Sequence, residues 1–424
     1  MRTLHTGFSA VALCILVSGC TPSQKDAARD PDGARPHKLM LSVLAGQSTS
    51  DAGIEEMIND LVGSRLPGVT LDWERMDWGE KFQSQMQAKF AAGEVPDIMI
   101  GKAQDVATYY PSGNLAPIPA SLMQYVREPS LPAVTINGTA FGIPYNAFYQ
   151  GVFYNRDLFE KHRLRVPATP GELATLVTSL KALHVVPFAA HFEESWYGGN
   201  IWMQFAIGSV FNAAPDWGDM FRARKVSFTR SPAIQSCFAD VRKVLDNTWS
   251  DALSIDQTEC DERFARGEAA LYVTGSWTLQ NIDTDKPHIR VGIFPYPNDS
   301  GDARLIFEPN MTFMKSSRTS HGDEVDQVLH AIFESKDLAS EIFDFTKTSS
   351  LLKNIGPEVP LLIQSDIDGF LKNGRVVDAT VGNRQLIWSF QEKVASRMYD
   401  WLQGRSSLAA VLSFADQNRQ LSAP

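Results

Sequence analysis

From Leu39 onward the chain alternates short apolar runs with stretches in which apolar residues recur every three or four positions. Leu39 to Ala45, Val69 to Met76 and Asp97 to Gly101 have the length and composition of strands. Between the first two, Ile54, Met57, Ile58, Leu61 and Val62 fall on one face of a helix that Pro67-Gly68 ends. Between the second and third, Phe82, Met86 and Phe90 do the same ahead of Gly93, and Asp77 to Glu80 has the spacing of a capping box. This order predicts right-handed crossovers and a parallel sheet. In open sheets of that kind ligands bind beyond the carboxyl ends of the strands. Those ends are Gly46-Gln47-Ser48 and Gly101-Lys102-Ala103-Gln104-Asp105, so Gln47, Gln104 and Asp105 are either ligand contacts or helix caps.

The pattern changes at Gly138 to Phe159, where a Gly turn leads through Gly142-Ile143-Pro144-Tyr145 into an aromatic, β-branched run ending in Tyr154-Asn155-Arg156-Asp157-Leu158-Phe159. It reads as an extended crossing segment followed by a helix start. Pro144 removes a backbone donor, which suits an edge or exposed strand better than a central one. A second α/β unit follows. Thr169-Pro170-Gly171-Glu172 combines a Thr cap, Pro at the first helical position and Glu at the third, ahead of a Leu173, Leu176, Val177, Leu180, Leu183 stripe. Val185 to Ala189 is a short strand that runs into the Gly-rich, aromatic stretch from His191 to Trp202.

A length of 424 residues calls for two domains. The formal charge of -10 argues against nucleic acid as a partner, because phosphate binding needs a basic face. Arg2, the apolar run Phe8 to Val17 and Leu16-Val17-Ser18-Gly19-Cys20 read as an export signal with a lipobox, too short to span a bilayer. Residues 1–19 are then a lipoprotein signal peptide, Cys20 the lipidated residue, and 20–37 a flexible tether. Cys237 and Cys260 remain, either paired or as two separate thiols.

Three signatures occur in order: Gly93-Glu94-Val95-Pro96-Asp97-Ile98, the crossing segment with Tyr154-Asn155-Arg156-Asp157-Leu158-Phe159, and Phe264 to Leu271 followed by Gly275-Ser276-Trp277. Together with the lipoprotein start they resemble the extracellular solute-binding proteins of family 1, the maltose-binding-protein-like sugar receptors of ABC importers. The resemblance runs from about Lys38 to the C-terminus. It implies an α/β, two-lobe periplasmic-binding-protein-like fold of type II, each lobe a mixed sheet flanked by helices, with a hinge of crossing segments. The lobes it implies are 38–145 plus 312–365 and 146–311 plus 366–424, with the second crossing around Phe307 to Met314 and a third near Asp366 to Gly369.

A Trp or Tyr face stacks on the apolar face of a pyranose while amides and carboxylates bind its hydroxyls. Seven of the nine tryptophans lie after residue 195, which makes the second lobe the stacking side. Trp217, Trp249 and Trp401 read as packing and Trp202 is open between core and cleft, whereas Trp196, Tyr197, Trp277 and Trp388 fall where the family's aromatic platforms occur. The same resemblance makes Gln47, Gln104, Asp105, Tyr149, Asn310 and Glu392 candidate ligand contacts. Trp388 and Glu392, four apart, share a helix face. The Asn146 to Gln150 stretch offers aromatic and amide groups and no charge.

No motif for a metalloprotease, serine hydrolase, nucleotide loop or zinc pair occurs, and no cofactor is implied. The expected partners are a carbohydrate, ABC transporter permease subunits and a membrane through the lipid anchor, for a protein acting as a monomer. A glycoside-processing enzyme, needing two carboxylates from among Glu193, Glu194, Glu308 and Glu392, is one alternative. A sensor or adaptor lipoprotein that binds no small molecule is another.

Overall fold

The computed structural model describes residues 38–46, 53–76, 82–282, 289–353, 355–356, 359–383, 386 and 388–419. The signal and tether residues, Cys20, Gln47 and the Asp77 to Glu80 capping box lie outside them. The first half supplies β1 (Leu39–Gly46), α1 (Ile54–Arg65), β2 (Val69–Met76), α2 (Phe82–Ala92), β3 (Ile98–Gly101) and α3 (Ala103–Tyr109). Three two-residue strands follow, β4 (Leu115–Ala116), β5 (Thr135–Ile136) and β6 (Thr139–Ala140), and then the crossing strand β7 (Ile143–Asn155). Next come α4 (Arg156–His162), α5 (Pro170–Ala182), β8 (Val186–Ala189), α6 (Ser195–Ala206), α7 (Trp217–Arg222), α8 (Pro232–Leu245), α9 (Gln257–Ala265) and β9 (Ala269–Gly275). The remainder is α10 (Leu279–Ile282), β10 (Val291–Phe294), β11 (Leu305–Ser316), α11 (Gly322–Glu334), α12 (Lys336–Thr346), β12 (Ser349–Ser350), α13 (Gln364–Lys372), β13 (Val376–Asp378), α14 (Trp388–Leu402) and α15 (Leu408–Gln417).

The helix starts are set locally. Asn155 Oδ1 accepts from the Leu158 amide to open α4, and Thr169 Oγ1 accepts from the Glu172 amide while Glu172 reaches back to the Ala168 amide. The Thr169 cap is the one that the sequence pattern predicts, and at Asn155 the pattern predicts the helix start.

The main sheet has the order β2-β1-β3-β11-β7-β9-β8. β1 pairs in parallel with β2 and β3, and β8 in parallel with β9. These parallel blocks are joined by two long antiparallel strands, β7 and β11, in register from Ile306 opposite Gln150 to Phe313 opposite Ile143. β7 therefore runs through the middle of the sheet, contrary to the edge position that Pro144 suggests. Pro144 is tolerated because it stands at the second residue of β7, ahead of the stretch that β9 ladders between Gln150 and Tyr154.

Buried apolar residues fall into separate clusters along these two strands. Ile143, Tyr145 and Ala147 pack with the β1 and α11–α12 side, whereas Tyr149, Val152 and Phe153 pack with the β9, α6 and α14 side. In β11 the change falls between Ile306 and Met311, and further on between Ile355 and Val359. Met311, at the change, has φ 43 in a strand, a left-handed conformation that a residue with a Cβ adopts at a cost of about 1–2 kcal/mol. Asp366 to Gly369, expected as a third crossing, instead lie inside α13, whose Ile367 belongs to the second cluster.

Cys237 and Cys260 are both free and buried. Among the described residues no helix is long and apolar enough to cross a membrane, and no group of three His, Cys, Asp or Glu could hold a metal.

Candidate functional site

The side chains of β7 alternate between the two faces of the sheet, and its pairing with β11 decides which face each one takes. Phe148 stands opposite Glu308, and Asn146 opposite Asn310, so these four share one face with Gln150. Tyr149 takes the other face opposite Phe307, is buried, and its ring lies 5.5 Å from the Phe307 ring. The aromatic side chain on the polar face is its half-buried neighbour Phe148.

On that face a polar chain joins the two clusters. Lys102 Nζ, at the start of α3, lies 3.4 Å from Glu308 Oε1, and Gln150 Nε2 donates to Glu308 Oε2. Asn200 of α6 donates to Gln150 Oε1 at 3.3 Å, and Gln204, one turn on, donates to Asn200 at 2.8 Å. Charge thus enters the crossing from β11 and α3, not from the uncharged Asn146 to Gln150 stretch. Glu308 shares its strand parity with Asn310.

Beside this chain stands an aromatic wall. The Trp277 ring meets Phe148 edge to face at 5.4 Å and Trp196 at 6.5 Å, and both tryptophans are half-buried. Trp277 folds back over its own backbone: a Cβ at Gly275 would stand 2.0 Å from the indole. The absence of a side chain at Gly275 is what lets the ring lie there.

Tyr197, expected in the same wall, is fully buried, its ring tilted against that of His191 at 4.1 Å and packed on Phe192. The reason is helical phase: Trp196 and Tyr197 are adjacent on α6 and point about 100° apart, so only one can face outward. Trp202 likewise lies in the core, stacked on Phe238 at 5.1 Å, and Trp217 stacks on Phe221.

Asp105 is a cap. It is buried, and its Oδ2 accepts from the Lys102 amide at 2.8 Å, which closes the first turn of α3. Glu392 is buried on α14 next to Gln391, whose Nε2 donates to the Leu386 carbonyl at 2.5 Å. For Trp388 the structure describes the backbone, at the first residue of α14.

Gln104 is half-buried and lines a crevice together with Thr108 and the Pro132 to Ile136 segment on one side and Thr380, Asn383 and Leu386 on the other. These two sets belong to chain segments on opposite sides of the crossing strands. The crevice holds about 90 Å³, well short of the roughly 300–1,000 Å³ of ordinary ligand sites. The two sides lie close, with α2 approaching α14 and α10 approaching α12. A larger open groove of about 580 Å³ lies along the edge strand β2 and α2. It is lined mainly by charged side chains with Met76, Gln85 and two alanines, has no aromatic ring, and draws on one side of the crossings alone.

Two blocks of sheet joined by paired crossing strands, with an aromatic and polar surface at the join, define a two-lobe solute-binding fold. Residues 64–317 match the model of the bacterial extracellular solute-binding proteins, and the chain belongs to that family. It is accordingly an exported protein. It is 20% identical over 324 residues to the multiple sugar-binding protein of Streptococcus mutans, an alignment covering 74% of each chain. A chitin oligosaccharide binding protein superimposes with a TM-score of 0.76 at 18% identity, over 91% of this chain and 99% of that one. A sugar transporter protein from Bacillus licheniformis in complex with stachyose gives 0.76 at 16% identity, over 90% and 100%.

Proposed function

We propose that the protein captures a sugar or oligosaccharide between its two lobes and hands it to an ABC-type importer. The observation that carries this is the aromatic wall of Trp196, Trp277 and Phe148 set against the Lys102, Glu308 and Gln150 polar chain. Aromatic faces take the C–H face of a pyranose, and neighbouring carboxylate and amide groups take its hydroxyls. The similar proteins, one named for multiple sugars, one for chitin oligosaccharide and one held in complex with stachyose, support the same class of ligand.

We take the lobe boundaries to lie where the buried residues change cluster, between Ala147 and Tyr149, Ile306 and Met311, and Ile355 and Val359. With about 90 Å³ between the lobes, a sugar enters by hinge opening and is retained by closure, because closed lobes contact it from both sides. Gln104 and Asn310 contribute from the first lobe and the second crossing. On this reading the protein is a receptor and turns nothing over. Cys20 carries the lipid that holds it at the membrane beside its permease partners, and it works as a monomer.

The test is thermal unfolding of a form lacking residues 1–20 against mono- and oligosaccharides, followed by recovery of the sugar. Ligand at a hundred times its dissociation constant adds about 2.7 kcal/mol. A saturable upward shift with the sugar unchanged supports the receptor. A recovered product would point to an enzyme, and no shift with any sugar to an adaptor.

A further inference from the structure

Asp261 of α9 is fully buried, and its carboxylate is tied to the segment that follows β9. Thr278 Oγ1 donates to its Oδ1 at 2.5 Å and Asn281 Nδ2 to its Oδ2 at 2.8 Å, while Gln257 Nε2 adds a contact at 3.3 Å from within α9. Thr278 closes the short helical turn that presents Trp277 and is its next neighbour, and Asn281 lies in α10 directly after it. The indole lies over Gly275 and against Phe148 and Trp196, so its position follows that of the turn.

We propose that Asp261 is a positioning residue for Trp277: its carboxylate holds the turn and sets the indole against ligand, and its protonation releases the turn and weakens sugar capture. The inference rests on the reading of Trp277 as a wall of the sugar site.

The chemistry follows from hydrogen-bond inventory. An ionised carboxylate only accepts, which suits donors arriving from Thr278, Asn281 and Gln257, whereas a protonated one turns an acceptor position into a donor that faces another donor. Burial pushes the Asp261 carboxyl up to about 6, against the pull of the hydrogen bonds from Thr278, Asn281 and Gln257. Its titratable surroundings do not compete in this range. Tyr272 of β9, Tyr197 of α6 and Cys260 of its own helix are all pushed well above their ordinary values by burial. His191, tilted against Tyr197, is pushed down to about 3 by burial. Arg263 of α9 is engaged by Asp251 and Glu259, and β8 and α10 bring no titratable side chain.

The experiment follows the Trp277 indole N–H by NMR in the free protein between about pH 5 and pH 7.5, with Trp277→Phe for assignment, and measures stachyose affinity at both ends. The resonance is expected to move with a midpoint near that of Asp261, and to stay still in Asp261→Asn. Asn281→Ala, which keeps the acid but removes one donor to its anion, is expected to raise the midpoint, and it keeps the test alive where Asp261→Asn folds poorly. Stachyose binding is expected to weaken about five- to tenfold at the acid end, the value of one aromatic contact. In Asp261→Asn it stays at the weak level throughout. An indole that does not titrate, or titrates unchanged in Asp261→Asn, overturns the proposal. A titrating indole without stachyose binding at any pH upholds the positioning role and counts against stachyose as the ligand.

Discussion

Glu308 Oε1 on the second crossing strand lies 3.4 Å from Lys102 Nζ at the start of α3, a pair in which both side chains are mostly buried. A carboxylate so placed links the start of α3 to the strand that runs back into the β1 cluster, and also receives Gln150 from the other crossing strand. Glu308→Gln keeps an oxygen for Gln150 but removes the charge that Lys102 faces. It should cost about 1–3 kcal/mol in urea unfolding and also weaken ligand binding. Unchanged stability together with unchanged affinity would show the pair to be incidental.

Gly275→Ala tests the aromatic wall without touching the wall itself. The added methyl would stand 2.0 Å from the Trp277 ring, so the indole must leave its place over the backbone. Calorimetric titration should show an affinity loss of about five- to tenfold, with circular dichroism retained. Wild-type affinity in Gly275→Ala would mean that Trp277 does not contact the sugar.

Trp196 and Trp202 lie on one helix with opposite expected roles. Trp202→Ala empties a fully buried site stacked on Phe238 and should lower stability by about 3–5 kcal/mol. Half-buried Trp196 should cost much less stability on truncation but lose affinity. Thermal melts and binding on the two variants should therefore rank them in opposite order.

Acid stability should depend on His191. Burial holds its folded pKa down at about 3, below the unfolded value near 6.5, so the native state favours the neutral ring. The stabilisation is complete above about pH 6.5 and is lost as pH falls towards 3, by about 1.4 kcal/mol for each pH unit. Asp261 acts in the opposite sense between about 6 and its unfolded value near 3.8, because its folded pKa is raised. The two offset each other in that window, so acid loss should steepen below it. In His191→Phe, urea unfolding from pH 7 to pH 4 should show stability rising towards acid, where wild type stays nearly level. The same slope in both proteins would remove His191 from the account.

Much of this molecule is determined by sequence alone. Period and cap mark the helix opened by Thr169, the end of the crossing segment marks the start of α4, and the order of apolar runs marks the parallel block β2-β1-β3. The Gly275-Ser276-Trp277 motif already points to a close backbone approach, because that is a local property of three neighbouring residues. What needed tertiary structure is which way each side chain faces. Strand parity put Phe148 and not Tyr149 on the polar face, helical phase turned Trp196 outward and Tyr197 inward, and a capping bond engaged Asp105 at the start of α3. The Lys102, Glu308 and Gln150 contacts join residues from three separate stretches of chain. No spacing along the sequence encodes such a contact, because it exists only once two antiparallel strands have chosen their register.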